Sequence, residues 1–256
     1  MMKKPLLRLT VAILTFVIAV GAQGAQLKLL VGGALTEPVK KVASDFSHRT
    51  GNKLDFTTDT SGGLQNKLKS GEKADVIIVA EPSMDALEKD KLVVPGTRVP
   101  LARGLVGVGV RAGAAAPDIS SVDAFKKAVL SARSVSYVDP KAGGTSGTYM
   151  AGLFQRMGIA DQLQKKTVFR NQGSEVADAV AKGDAEIGIT FTSEMLQNKG
   201  VKVVGTLPSA IQLPTNYIAA IPIGAANPDA ARAFLKELKT PAAQSAIKEA
   251  GLEPIR

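Results

Sequence analysis

Short apolar runs alternate with amphipathic segments along almost the whole chain, and no other pattern limits the fold as much. Residues 26–31, 53–57, 74–80, 104–110, 135–139, 167–170, 185–191, 201–205 and 217–223 read as strands. Between them, helices are predicted from Thr36 to a stop at Gly51 and over 61–69, 83–89, 121–132 and 174–182, with a loop entering a helix over 144–157. Two further helices, 228–239 and 241–250, end the chain. Val39, Val42, Ala43 and Phe46 recur at helical spacing behind Thr36, read as the cap, and Ser83 is read as the cap of the third helix. Strand–helix alternation of this kind predicts an α/β fold with largely parallel sheets. Continuous apolar strands such as Val76-Ile77-Ile78-Val79 fit a sheet covered on both faces.

The residue inventory removes much chemistry. The chain has no Cys and one His among 256 residues. That excludes a disulfide framework, a thiolate nucleophile, an Fe–S cluster and a His-rich zinc site. The single imidazole, His48, lies at the polar end of a helix in Ser47-His48-Arg49-Thr50, so no base stands ready for a Ser-His pair. Aromatic residues are 4% of the chain, so the core must rest on Val, Ile, Leu and Ala. The net charge is +9, but the basic residues are scattered and do not alternate with aromatics, which argues against nucleic-acid binding.

Residues 1–25 read as an export signal. Lys3, Lys4 and Arg8 precede an uncharged apolar run from Leu9 to Val20, and the small residues Gly21, Ala22, Gly24 and Ala25 follow. The run is short for a membrane span, which needs ~20 residues. Cleavage is placed between Ala22 and Gln26. Without a lipobox cysteine, the expected product is a soluble periplasmic protein.

Turns rich in Gly, Ser and Thr recur where strands give way to helices. They are Gly32-Gly33-Ala34-Leu35-Thr36, Thr58-Asp59-Thr60-Ser61-Gly62-Gly63, Gly143-Gly144-Thr145-Ser146-Gly147-Thr148, Asn171-Gln172-Gly173-Ser174-Glu175 and Phe191-Thr192-Ser193. In open α/β sheets, ligands bind at the carboxyl ends of strands. There, hydroxyls and free helix N-terminal N–H groups can hold anionic oxygens. The Gly143 turn lacks the Gly-Lys-Ser/Thr of a phosphate loop and the spacing of a nucleophile elbow, so it reads as an anion cradle. Arg103, ahead of the apolar run 105–110, is the candidate carboxylate clamp, and Arg170 a weaker one. Asp59, Asp139 and Glu175 lie near the turns but lack metal-ligand spacing.

At this point the chain resembles the periplasmic molybdate-binding-protein-like solute receptors. The likeness runs through Lys28-Leu29-Leu30-Val31-Gly32-Gly33-Ala34-Leu35-Thr36, Thr60-Ser61-Gly62-Gly63-Leu64, Gly71-Glu72-Lys73-Ala74-Asp75-Val76, Tyr137-Val138-Asp139-Pro140, Ala185-Glu186-Ile187-Gly188-Ile189 and Gly200-Val201-Lys202-Val203-Val204. It implies a type II two-domain periplasmic binding protein with the ligand cleft between the domains. One domain would be residues 26–104 and 212–256, completed by the C-terminal helices, and the other residues 105–211. It implies hinge closure on a small anion, delivery to an inner-membrane ABC permease, a monomer, no cofactor and no catalysis.

The resemblance also carries contact positions. The first-turn Ser of molybdate receptors is replaced here by Ala34 beside Gly33. The helix-start Ser matches Ser61 beside Thr60. Backbone amide contacts match Ser146, beside Gly147, and Val176, beside Ser174. The Tyr after the Gly-Ile strand is replaced by Phe191. Two hydroxyls are thus missing from an oxyanion site, whose discrimination rests on such contacts. With Arg103 as clamp, the expected ligand is an organic di- or tricarboxylate, with a molybdate- or tungstate-type oxyanion as the alternative. A secreted enzyme or a ligand sensor on the same fold is the further alternative.

Overall fold

A computed structural model describes residues 24–255, so the export signal read over residues 1–25 lies almost wholly outside the described residues. The chain starts with β1 (Gln26–Gly32), a short 3-10 turn (Gly33–Leu35), α1 (Thr36–Thr50), β2 (Lys53–Asp59), α2 (Ser61–Lys69), β3 (Val76–Ala80), α3 (Glu81–Lys89) and β4 (Val99–Gly104). A second run holds β5 (Val106–Arg111), α4 (Val122–Ser131), β6 (Val135–Val138), α5 (Thr145–Arg156), α6 (Ala160–Gln164), β7 (Thr167–Arg170), α7 (Gly173–Lys182), β8 (Ile187–Phe191), α8 (Thr192–Leu196) and β9 (Val201–Thr206). The chain then returns through β10 (Thr215–Ala220), α9 (Pro228–Glu237), α10 (Pro241–Glu249) and β11 (Glu253–Pro254).

Two sheets result, one in each lobe. The first has the order β11-β4-β10-β3-β1-β2, the second β7-β6-β8-β5-β9. Pairing is parallel for β1 with β2 and β3, and for β6 with β7 and β8. The strands that carry the chain between lobes, β4, β5 and β10, pair antiparallel. The sheets are therefore mixed, not largely parallel: a strand arriving from the other lobe enters its sheet from the opposite end. The segment 104–110, expected as one strand, is split at Leu105, where the chain passes between sheets. Gln212 brackets this passage, its amide accepting from Val106 N (3.0 Å) and donating to Val106 O (2.8 Å).

The strands are apolar throughout because both sheet faces are covered. In β1 and β3, Leu27, Leu29, Val31, Val76 and Ile78 pack into one core, while Leu30, Ile77 and Val79 pack on the opposite face with Leu64, Leu68, Met84 and Leu87. The C-terminal helices close the first lobe. Phe234 of α9 meets Phe46 of α1 edge to face at 5.3 Å, both rings buried. Thr60 caps α2 and Ser121 caps α4, accepting from Gly63 N (3.0 Å) and Ala124 N (3.1 Å). Thr36 and Ser83 are not caps. Leu35 and Ala80 hold those positions, because α1 continues directly from a 3-10 turn and α3 starts earlier, with Pro82 in its first turn. Among the described residues, no helix is long and apolar enough to cross a membrane.

In β5 the sequence Val106-Gly107-Val108-Gly109-Val110 divides its faces by size. The valines enter the core, and the glycines leave a bare strip on which α8 lies. A Cβ on Gly107 would come within 2.6 Å of Thr192 Cγ2, and one on Gly109 within 2.6 Å of Met195 Sδ. This close approach brings the five-residue α8 to the junction of the lobes.

Candidate functional site

The loops at the carboxyl ends of both sheets face one another across a narrow cleft. The first lobe contributes Gly33 and Ala34 from the turn after β1, Asp59, Thr60 and Ser61 from the β2–α2 junction, and Tyr217 from β10. The second contributes Gly144, Thr145 and Ser146 at the start of α5, Gln172 and Gly173 at the start of α7, Phe191 ending β8, and Glu194 on α8. Three helices of nine or more residues, α2, α5 and α7, thus begin at the cleft. The dipoles of all three, and the first-turn N–H groups of α5 and α7, favour an anion there.

Hydroxyls divide between structural and available roles. Thr60 Oγ1 is consumed: it accepts from Gly63 N and donates across the cleft to Ala142 O at 2.5 Å. Beside it, Gly62 N donates to Gly143 O at 3.1 Å, so two bonds join the lobes at this edge. Gly143 holds a left-handed φ of 74°, which turns its carbonyl toward Gly62. Ser61 Oγ accepts from Ala80 N at 2.9 Å, which leaves its proton for a ligand. Deeper in, Ser146 Oγ lies 3.4 Å from Thr190 Oγ1, which donates to Glu194 Oε2 at 2.5 Å.

Glu194 dominates the electrostatics. Burial drives its carboxyl up to about 7, against the opposing hydrogen bonds from Thr190 and the Phe191 backbone. Tyr217 is pushed well above the usual phenol range, first by burial and then by the Glu194 charge. Its ring packs edge to face on Phe191 at 5.7 Å. No Lys, Arg or His is among the lining residues. Among the described residues, no group of three or more His, Cys, Asp or Glu could hold a metal ion.

Of the residues singled out from sequence, Gly33, Ala34, Thr60, Ser61, Ser146 and Phe191 come together in this cleft. Four do not line it. Arg103 forms no clamp: its side chain is 47% exposed, with Nε donating to Asn216 Oδ1 (3.3 Å) and Nη1 3.7 Å from Glu253. Gly147 lies behind the α5 start, where a Cβ would overlap the Val138 carbonyl. Ser174 is exposed. The Val176 amide is already donated to Gln172 O at 3.2 Å within α7, so it is not free for a ligand. Sequence reasoning missed Glu194, Tyr217 and Gln172 as a group. The available signal for Glu194 was its position three residues beyond a buried strand, one residue past the marked turn 191–193.

Comparisons with known proteins agree with this architecture. Residues 27–253 match the family described as bacterial extracellular solute-binding protein. An aconitate isomerase from Pseudomonas sp. is 34% identical over 238 residues, 90% of this chain and 88% of that protein. The molybdate-binding protein ModA of Azotobacter vinelandii is 28% identical, covering 95% of this chain and 96% of that protein. The solved periplasmic molybdate-binding protein of Azotobacter vinelandii superposes with a TM-score of 0.75 at 23% identity, over 90% of this chain and all of that one.

Proposed function

The chain belongs to the bacterial extracellular solute-binding proteins, and from that premise we propose that it captures a small organic di- or tricarboxylate. The lobes, residues 26–104 with 212–256 and residues 105–211, close on the ligand about the Gln212–Val106 passage. Residues 1–25 direct export to the periplasm, where the protein acts as a monomer and hands its ligand to an inner-membrane ABC permease.

The observation that carries this reading is the donor set of the interlobe cleft. Three helix N-termini and the Ser61 hydroxyl converge on the narrow cleft between the lobes. Gly33, Ala34, Thr60, Ser61, Ser146 and Phe191 line the ligand, joined by Gln172, Glu194 and Tyr217. Ala34 and Phe191 offer no hydroxyl for a tetrahedral oxyanion, and Glu194 is a carboxyl group able to meet a ligand carrying acids or hydroxyls. The relative named aconitate isomerase supports the organic-acid class. A thermal-shift screen of citrate, aconitate, molybdate, tungstate, sulfate and phosphate tests the proposal. Stabilisation by the carboxylates is expected; stabilisation by molybdate or tungstate alone refutes it.

Glu194 also favours a second reading, an isomerase acting on an unsaturated tricarboxylate. It is the cleft group poised to exchange a proton near neutrality. Proton NMR of cis- or trans-aconitate with the protein decides: interconversion establishes turnover, and an unchanged spectrum leaves the receptor.

A further inference from the structure

Charge balance in the cleft singles out one residue. The Glu194 carboxylate sits where the two lobes meet, between Gly33 of the first and Gly173 of the second. A Cβ on Gly33 would lie 2.6 Å from Glu194 Oε1, and one on Gly173 would overlap the carboxylate. Only hydrogen side chains on both leave room for it. Closure therefore dries this group, and opening returns it to water.

Among the described residues, none of those lining the cleft is a cation. From β10 the facing ionisable group is Tyr217, and from the end of β2 it is Asp59. Asp59 is engaged by the Thr60 amide at 2.7 Å and lies 3.9 Å from Lys67. The turn Gly33–Leu35 and β8 carry no charged side chain. Arg111 on β5, Lys182 on α7 and Lys202 on β9 are exposed and do not line the cleft. On α7, Glu175 accepts from Asn171 N and Asp178 from Asn198 Nδ2. An anion enclosed here would meet the Glu194 charge with no compensating side chain from the lining, where partial burial weakens screening by water.

We propose that Glu194 takes up one proton for each anion the cleft captures, so that closure is proton-coupled and the neutral carboxyl donates a hydrogen bond to the ligand. The inference rests on the reading that the ligand is an anion. It makes Glu194 a specificity-determining residue: the ligand must offer an acceptor, such as a carboxylate oxygen, where Glu194 donates. Its raised protonation range in the closed cleft agrees with this role.

Titration calorimetry of the full chain near pH 8, in buffers of different ionisation enthalpy, counts the protons. The probes are trans-aconitate, citrate and molybdate. Wild type should take up about one proton per bound anion, and Glu194→Gln, which keeps the shape, about none. Independently of any variant, wild-type affinity should fall about tenfold per pH unit from roughly pH 7.5 to 8.5. Equal proton counts in the two proteins, or a flat wild-type pH profile, would overturn the proposal. If molybdate alone binds, the carboxylate reading fails while the proton count still decides for or against Glu194. Binding of none of the three overturns both.

Discussion

Replacing Glu194 by Gln should make the ligand-free protein more stable above neutral pH and leave it unchanged in acid. The closed fold lifts this carboxyl from 4.5 to about 7. At 1.36 kcal/mol per unit, that burdens the closed fold by about 3 kcal/mol once the group is charged. The sign follows from linkage. The closed protein binds the proton more tightly than the unfolded chain, so stability is full below about 4.5 and is lost as pH rises toward about 7. It then stays level. Gln is neutral throughout and can still accept from Thr190 Oγ1. For a fold of this size, 1 kcal/mol moves Tm by roughly 2–4 °C. The two proteins should therefore melt together near pH 4 and differ by about 6–12 °C near pH 8, with the variant higher. Differential scanning calorimetry at low salt reads this directly. Wild type has one other outlet, to part its lobes and rehydrate Glu194, so small-angle scattering near pH 8 should show the variant the more compact. Parallel Tm curves across the pH range, together with identical scattering, would refute the burial argument.

Other outcomes follow from single contacts. Gly173→Ala places a methyl group against the Glu194 carboxylate and should weaken ligand capture at least tenfold, about 1.4 kcal/mol; scattering should show closure recovered in the Gly173→Ala, Glu194→Ala double variant. Arg103→Ala should leave affinity within about twofold by calorimetry, because its guanidinium is directed at Asn216 and Glu253 outside the cleft lining. Phe234→Ala removes a fully buried ring from the seam between α1 and α9, and urea unfolding should show a loss of about 3–5 kcal/mol.

Local signals made the helix-start turns readable, and tertiary pairing hid the rest. Ala74 to Ala80 reads as a strand because both of its faces are buried, and α2 reads correctly because Thr60 is a true cap. The fold class was legible from alternation and family likeness together. Strand direction was not, since only the passage of β4, β5 and β10 between lobes makes those pairings antiparallel. Pro100 masks β4 as a strand, and α8, at five residues, is too short to show a helical period. Arg103 reads as a clamp until β11 arrives beside β4 and sets Glu253 against it, a contact across 150 residues of sequence. Glu194 is the mirror case. Nothing near it in sequence announces burial; its place depends on Gly107 and Gly109 letting α8 down onto β5, and on Gly33 and Gly173 leaving space between the lobes.

A cleft built this way selects by hydrogen-bond inventory. A lysine or arginine at its centre would attract sulfate, phosphate and carboxylates alike, since Coulomb attraction is blind to shape. Helix N-termini contribute only about half a charge each, directed along fixed axes, so they reward a ligand whose oxygens match their positions. Adding a neutral carboxyl donor sharpens the rule, because a ligand that leaves the Glu194 hydroxyl unmatched strands a buried donor at a cost of about 1–3 kcal/mol. The missing hydroxyls at Ala34 and Phe191 act in the same direction by removing donors a tetrahedral oxyanion would use.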